Sequence, residues 1–291
     1  MPVSRRLFLA GTASAVIVAA CGGDSESSTP TSTPDGQDDS GFGVFTFFDP
    51  ATLIVGSEVR APIGIGDVDG PLAIADSPPE ITVTVTNEDG EVSTSTVAFR
   101  SEGLPRGYYP VRFTPPATGF YDLAVAATGV PALNTTIELV DPSTIVIPGA
   151  GEMFPVLDTP TVDDERGVNP ICTRDPICDL HDRNLPEVLQ DGRPSAVIIS
   201  TPEFCSTAVC GPVLELLLTE AAARPEVSML HAEVYADPAT DLSRVAPIVE
   251  AMSLTFEPSV VFIDATGTIV ERLDFVFDAS ELGEAFERLT S

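Results

Sequence analysis

The chain has 291 residues, long enough for two ordinary domains with proper cores, and 43% of them are hydrophobic. Its 44 acidic residues against 14 basic ones give a formal charge of −30, and every base is arginine because lysine is absent. So acidic a surface repels nucleic-acid phosphates and anionic lipid head groups, which excludes a nucleic-acid partner and favours solubility.

The N-terminus reads Ser4-Arg5-Arg6-Leu7-Phe8-Leu9, continues through uncharged small and apolar residues to Val18, and closes on Ala19-Ala20-Cys21. The apolar run is shorter than the roughly 20 residues needed to span a bilayer. This segment resembles a twin-arginine signal peptide ending in a lipobox. The resemblance to bacterial lipoproteins implies cleavage before Cys21 and acylation of that cysteine as a lipid anchor. It places the mature chain on the outer face of the cytoplasmic membrane, an extracytoplasmic location. Export by that route implies that Cys172, Cys178, Cys205 and Cys210 meet an oxidising compartment only after folding. Residues 21–42, with Gly, Ser, Thr, Pro, Gln and Asp and almost nothing apolar, predict a disordered tether.

From Val44 to about Val140 the pattern is all β. Ile81 to Thr86 alternates strictly, Asn87-Glu88-Asp89-Gly90 makes a turn, and Val92 to Phe99 returns, a hairpin with one buried face. Further strands are predicted from Gly107 to Phe113, from Phe120 to Val125 and from Asn134 to Val140. Short strands at regular spacing with Pro and Gly turns predict a β-sandwich over residues 43–143. It resembles the immunoglobulin-like modules of bacterial surface proteins. Lacking cysteine and histidine, it carries no soft metal ligand, which leaves a spacer or binding role. Asp141-Pro142 to Gly149-Ala150-Gly151 marks the boundary to a second domain over 150–291.

In that domain a short helix is predicted over 182–190, a buried strand over 196–200, a long helix over 212–223 and a strand over 227–235. A helix over 242–252, a hairpin of 260–263 with 268–273, and a closing helix from Ser280 with Leu282, Phe286 and Leu289 on one face complete the pattern. The buried strand runs into Phe204-Cys205-Ser206-Thr207-Ala208-Val209-Cys210-Gly211-Pro212. Two sulfurs therefore stand at a helix N-terminus, where unpaired N–H groups and the helix dipole favour a thiolate. Residues five apart inside a regular helix are about 8–9 Å apart at Cα, too far for a disulfide. Proline suits the first helical position, so Pro212 allows Cys205 to Val209 to be a loop that folds back, which makes the pair bridgeable. Glu257-Pro258 then opens the strand of the later hairpin.

Element order and these two segments together resemble the thioredoxin superfamily, from about Pro155 to Ser291. The resemblance puts Cys205 at the place of the first active-site cysteine and Pro258 at that of the facing cis-proline. In a second register Cys210-Gly211-Pro212-Val213 aligns with Cys-Gly-Pro-Cys. The fold class expected is thus an all-β immunoglobulin-like sandwich followed by an α/β thioredoxin-like fold. The function implied is thiol–disulfide exchange with protein thiols or disulfides as partners, with Cys205 as attacker, Cys210 as resolver and Pro258 beside them. No cofactor and no resident metal are implied.

Four cysteines allow three pairings, and proximity along the chain favours Cys205 with Cys210 and Cys172 with Cys178. The second pair reads as a structural disulfide clipping a surface loop. Alternatively its sulfurs and His181 join Cys205 and Cys210 around a metal, or it relays electrons to that pair. His231, in the middle of an apolar strand pattern, reads as a core histidine. Three alternatives to exchange remain: a non-catalytic binding module with structural disulfides, a copper carrier resembling Sco-type proteins, and a peroxiredoxin-like peroxidase.

Overall fold

The structure, a computed structural model, describes residues 41–291. Residues 1–20, Cys21 and the tether up to residue 40 lie outside the described residues. No helix among the described residues is long and apolar enough to cross a membrane.

Alternation of apolar and polar residues builds two antiparallel sheets. One holds β1 (Gly43–Thr46), β2 (Val59–Asp67), β3 (Gly70–Pro71) and β6 (Tyr109–Phe113). The other has the order β5–β4–β7–β8, from β4 (Glu80–Asn87), β5 (Gly90–Ala98), β7 (Gly119–Ala127) and β8 (Val130–Leu139). Ile81, Val83 and Val85 of β4 face inward with Tyr121, Leu123 and Val125 of β7, and they meet Ile63, Ile65 and Val111 of the first sheet. The expected β4–β5 hairpin is present, with Asn87 opposite Gly90, whose φ of +122° a side-chain-bearing residue rarely adopts. Phe42 already packs against this core.

The C-terminal part holds α1 (Leu185–Leu189), β9 (Ser195–Ile199), α2 (Cys210–Ala223), β10 (Ser228–Ala232), β11 (Tyr235–Asp237), β12 (Asp241–Val245), α3 (Pro247–Met252), β13 (Ser259–Ile263), β14 (Ile269–Asp274) and α4 (Ala279–Thr290). Its main sheet has the order β10–β9–β13–β14, with β10 parallel to β9 and the other pairs antiparallel. Every residue of β9 and β13 is buried, because both faces of the sheet are covered. Ala196, Ile198, Val260 and Phe262 pack on α2 and α4, whereas Val197, Ile199, Val261 and Ile263 pack toward α1 and α3.

Two expectations need correction. The helix predicted over 242–252 is confined to α3, and residues 241–245 instead form β12, paired with β11. Pro247 lacks an N–H, fits the first turn of a helix and disrupts its interior, so the helix begins there. The strand predicted to reach Tyr235 ends at Ala232, and the chain resumes as β11.

The sandwich and the sheet of β9–β10–β13–β14 pack against each other. Leu104 and Tyr108, from the loop before β6, are buried in the same core as Leu214 of α2 and Phe286 of α4. Arg60 of β2 donates to both carboxylate oxygens of Glu281 on α4 at 2.8 Å, Arg112 of β6 donates at 3.0 Å, and the Tyr108 hydroxyl donates at 2.5 Å. Residues 41–291 therefore fall within one compact unit.

Candidate functional site

The β13–β9 register aligns Ser259 with Ile199, so the chain entering β13 lies beside the end of β9 from which the cysteine loop departs. Glu257 and Pro258 are thereby placed at the mouth of α2. The Glu257–Pro258 peptide bond is cis. From Ser200 the chain turns through residues 201–209, with Ala208 in the left-handed region at φ +59°, and then enters α2 at Cys210. The helix starts two residues before Pro212. This loses no hydrogen bond, since the first four N–H groups of a helix have no partner within it.

The N-cap, Val209, offers no side-chain acceptor. In its place the Cys205 sulfur accepts the Cys210 N–H at 3.3 Å and lies 3.2 Å from the Thr207 hydroxyl. Helix start and nucleophile are thus one arrangement: the orphan donor of the first turn is satisfied by sulfur, and the helix dipole favours that sulfur as thiolate. Hydrogen bonding from Cys210, with help from Thr207, outweighs burial and lowers the Cys205 pKa to about 5. Burial, reinforced by the neighbouring Cys205, raises Cys210 well above its ordinary value. Cys205 is partly exposed and Cys210 fully buried, and both are free thiols.

The carboxylate of Glu257 completes the site. Its oxygen and the two sulfurs all lie within 4.8 Å of one another. Burial, and then the charge of Cys205, raise Glu257 to about 7. No histidine or lysine adjoins the pair in sequence to act as its base, so the base had to come from a remote segment. The signal available was the acid directly before the proline, in a segment that the β13–β9 pairing carries to the sulfurs.

Pro258, after its cis bond to Glu257, leads directly into β13 beside the end of β9. Cys172 and Cys178 do not join the Cys205 site. Their sulfurs are 3.9 Å apart and unbonded, where a structural disulfide was expected, and each lies 3.5 Å from Nδ1 of His231. His231 and His181 belong with this second cluster, separate from Cys205 and Cys210.

No family model matches the chain, and no curated protein matches it. Among solved structures it is similar to thioredoxin 2 from Pseudomonas aeruginosa PAO1 in its reduced form, at 25% identity over 36% of this chain and 85% of that one, with a TM-score of 0.27. It is also similar to a secreted Mycobacterium tuberculosis disulfide oxidoreductase homologous to E. coli DsbE, at 20% identity over 35% of this chain and 83% of that one, TM-score 0.27. The Lin-41 filamin domain matches at 16% identity over 36% of this chain and 98% of that one, TM-score 0.25. The sheet order β10–β9–β13–β14, the cysteine at the helix mouth and the cis Glu257–Pro258 bond entering β13 support a thioredoxin-like region in the C-terminal part.

Proposed function

We propose that the chain is a lipid-anchored extracytoplasmic thiol–disulfide exchange protein. In this reading Cys21 ties the protein to the outer face of the cytoplasmic membrane, and residues 43–143 form an immunoglobulin-like module that holds the thioredoxin-like region of residues 150–291 near it. The hydrogen bonds of the Tyr121 hydroxyl to the backbone of Ala117 support an immunoglobulin-like corner in that sandwich. The carrying observation for exchange is the Cys205 sulfur capping α2 beside buried Cys210 and Glu257.

In the reducing direction the Cys205 thiolate attacks one sulfur of a partner disulfide, forming a mixed disulfide and expelling the partner's other sulfur. Protonated Glu257 supplies that leaving thiolate with a proton. Once Cys205 has lost its charge, one cause of Glu257's raised pKa is gone, and the carboxylate is ready to take the proton of Cys210. Cys210 then attacks Cys205, closes the intramolecular bridge and releases the second partner thiol. Two electrons pass to the partner, and the oxidising direction is the reverse sequence. The partly exposed Cys205 and the buried Cys210 suit attacker and resolver respectively.

The test is the reduction potential of the Cys205–Cys210 pair, measured by equilibration with glutathione and quantified by mass spectrometry. A value between about −270 and −120 mV, the span of thiol–disulfide exchange proteins, supports the reading. A value below about −300 mV identifies a structural staple and overturns it. A Cys210→Ser variant is expected to accumulate mixed disulfides through Cys205.

A further inference from the structure

We infer that Cys172, Cys178, His181 and His231 form a closed four-ligand site for one zinc ion. The site is separate from the Cys205 pair, and the inference does not rest on exchange activity.

The two sulfurs are 3.9 Å apart, each is 3.5 Å from Nδ1 of His231, and Nε2 of His181 is 3.1 Å from that same nitrogen. With Zn–S of about 2.3 Å and Zn–N of about 2.0–2.1 Å, a tetrahedron has edges of about 3.8 Å between sulfurs, 3.6 Å between sulfur and nitrogen and 3.3 Å between nitrogens. The observed edges match in size and in order.

Hydrogen bonding can pair the two thiols with each other at 3.9 Å, but it does not serve every atom that converges on Nδ1 of His231. Nε2 of His231 lies 3.1 Å from both the carbonyl oxygen and the hydroxyl of Ser200, and the carbonyl accepts only, so the tautomer that bonds to it carries the proton on Nε2. Nδ1 is then left with a single lone pair. Two thiols and an imidazole nitrogen all approach it, and one lone pair takes one proton. A cation at their centre satisfies all four atoms together, with the Ser200 carbonyl accepting from Nε2 as an outer-shell partner does in zinc sites.

Burial says which kind of site it is. Exposure is 3% at Cys172, 4% at Cys178 and 1% at each histidine, which leaves no open position for water or substrate. Four protein ligands with water excluded define a structural site. Binding releases one proton from each thiol, and two thiolates with two neutral imidazoles cancel the charge of Zn2+, which a buried site favours.

The chain around the site has need of a clamp. Between Ile145 and Asn184 there is no helix or strand beyond isolated bridges, a long irregular stretch for a compact fold. Three of the ligands lie in it and the fourth is on β10, so the ion would pin the stretch to the sheet edge. Neighbouring contacts serve the same attachment: the N–H of Thr173 donates to buried Glu233 at 2.8 Å, and the N–H of His231 donates to the Leu180 carbonyl at 3.3 Å. The N–H of Glu203 donates to the Thr173 hydroxyl at 3.2 Å, linking the clamped stretch to the Cys205 loop.

The test is elemental analysis of the full chain purified under reducing conditions with zinc supplied and then desalted. About one zinc per chain is expected, retained in a Cys205→Ser, Cys210→Ser double variant and reduced at least tenfold in His181→Ala and in Cys178→Ala. His181→Cys, which keeps four zinc ligands, is expected to retain the ion. Should the alanine variants fail to fold, replacement of zinc by Co2+ in the unaltered chain decides. Thiolate charge-transfer absorption with the intense visible bands of tetrahedral cobalt supports the site, and their absence overturns it. Zinc that follows Cys205 and Cys210 instead, or a Cys172–Cys178 disulfide that persists in protein offered zinc under reducing conditions, also overturns it.

Discussion

The chemistry of single residues turns on Cys205 and Glu257, whose ionisations are moved in opposite directions by one small mouth. With Cys205 at about 5, the folded protein holds it as thiolate at neutral pH, while an ordinary thiol at about 8.5 is mostly protonated there. The rate of Cys205 alkylation, followed by mass spectrometry across pH, is expected to inflect near 5, and an inflection near 8.5 would refute this. Glu257, raised to about 7, is the group placed to move protons for Cys210. Glu257→Gln keeps the shape and removes the titration. It is expected to slow release of the mixed disulfide about a hundredfold, in the usual range of general acid–base effects, and to remove the inflection near pH 7 from the release profile. Stopped-flow measurement of that step checks both. An unchanged rate would reduce Glu257 to a bystander.

At the scale of elements, the bend before α2 makes a spacing of five workable. In a continuous helix the two sulfurs diverge, whereas the turn through Ala208 at φ +59° brings Cys205 back over the helix start. Alanine is unusual in that conformation, and a β-branched residue is strongly disfavoured there. Ala208→Val is therefore expected to open the loop, remove the Cys210 N–H from the Cys205 sulfur and move the alkylation inflection up toward 8.5, with α2 retained by circular dichroism. α3 shows the same local logic with a different outcome. The apolar pattern from Leu242 to Met252 reads as a helix, but Pro247 can stand only in its first turn, and the residues before it pair as β12.

For the whole molecule, the decisive feature is the buried Glu281, which takes bonds from Arg60, Arg112 and Tyr108 and so joins the sandwich to α4. Burial opposes its charge, but Arg60, Tyr108 and Arg112 more than compensate and lower it to about 2. Because this pKa is below the unfolded value of about 4.3, the stabilisation is fully present above that value and is lost as pH falls through about 2. Glu281→Gln leaves Arg60 without its buried counter-charge and is expected to cost about 3 kcal/mol at neutral pH. It is also expected to flatten the loss of stability between about pH 4.3 and 2. Urea unfolding at several pH values tests both, and a variant as stable as the parent would show that the network contributes little.

What the amino-acid order determined by itself is local: alternation that made β4, β5 and β7, the apolar face of α4, and a cysteine loop ending where a helix begins. These follow from periods of two and 3.6 residues and from proline and glycine geometry, which neighbouring residues enforce on one another. Tertiary structure alone decided the rest. Glu257 reached the sulfurs through the pairing of β13 with β9, and His231 met Cys172, Cys178 and His181 only because an irregular stretch lies against β10. The join at Glu281 likewise needed β2, β6 and α4 together. Such juxtapositions depend on the closing of long loops and the burial of distant surfaces, and no short-range pattern records which remote partners that closure selects.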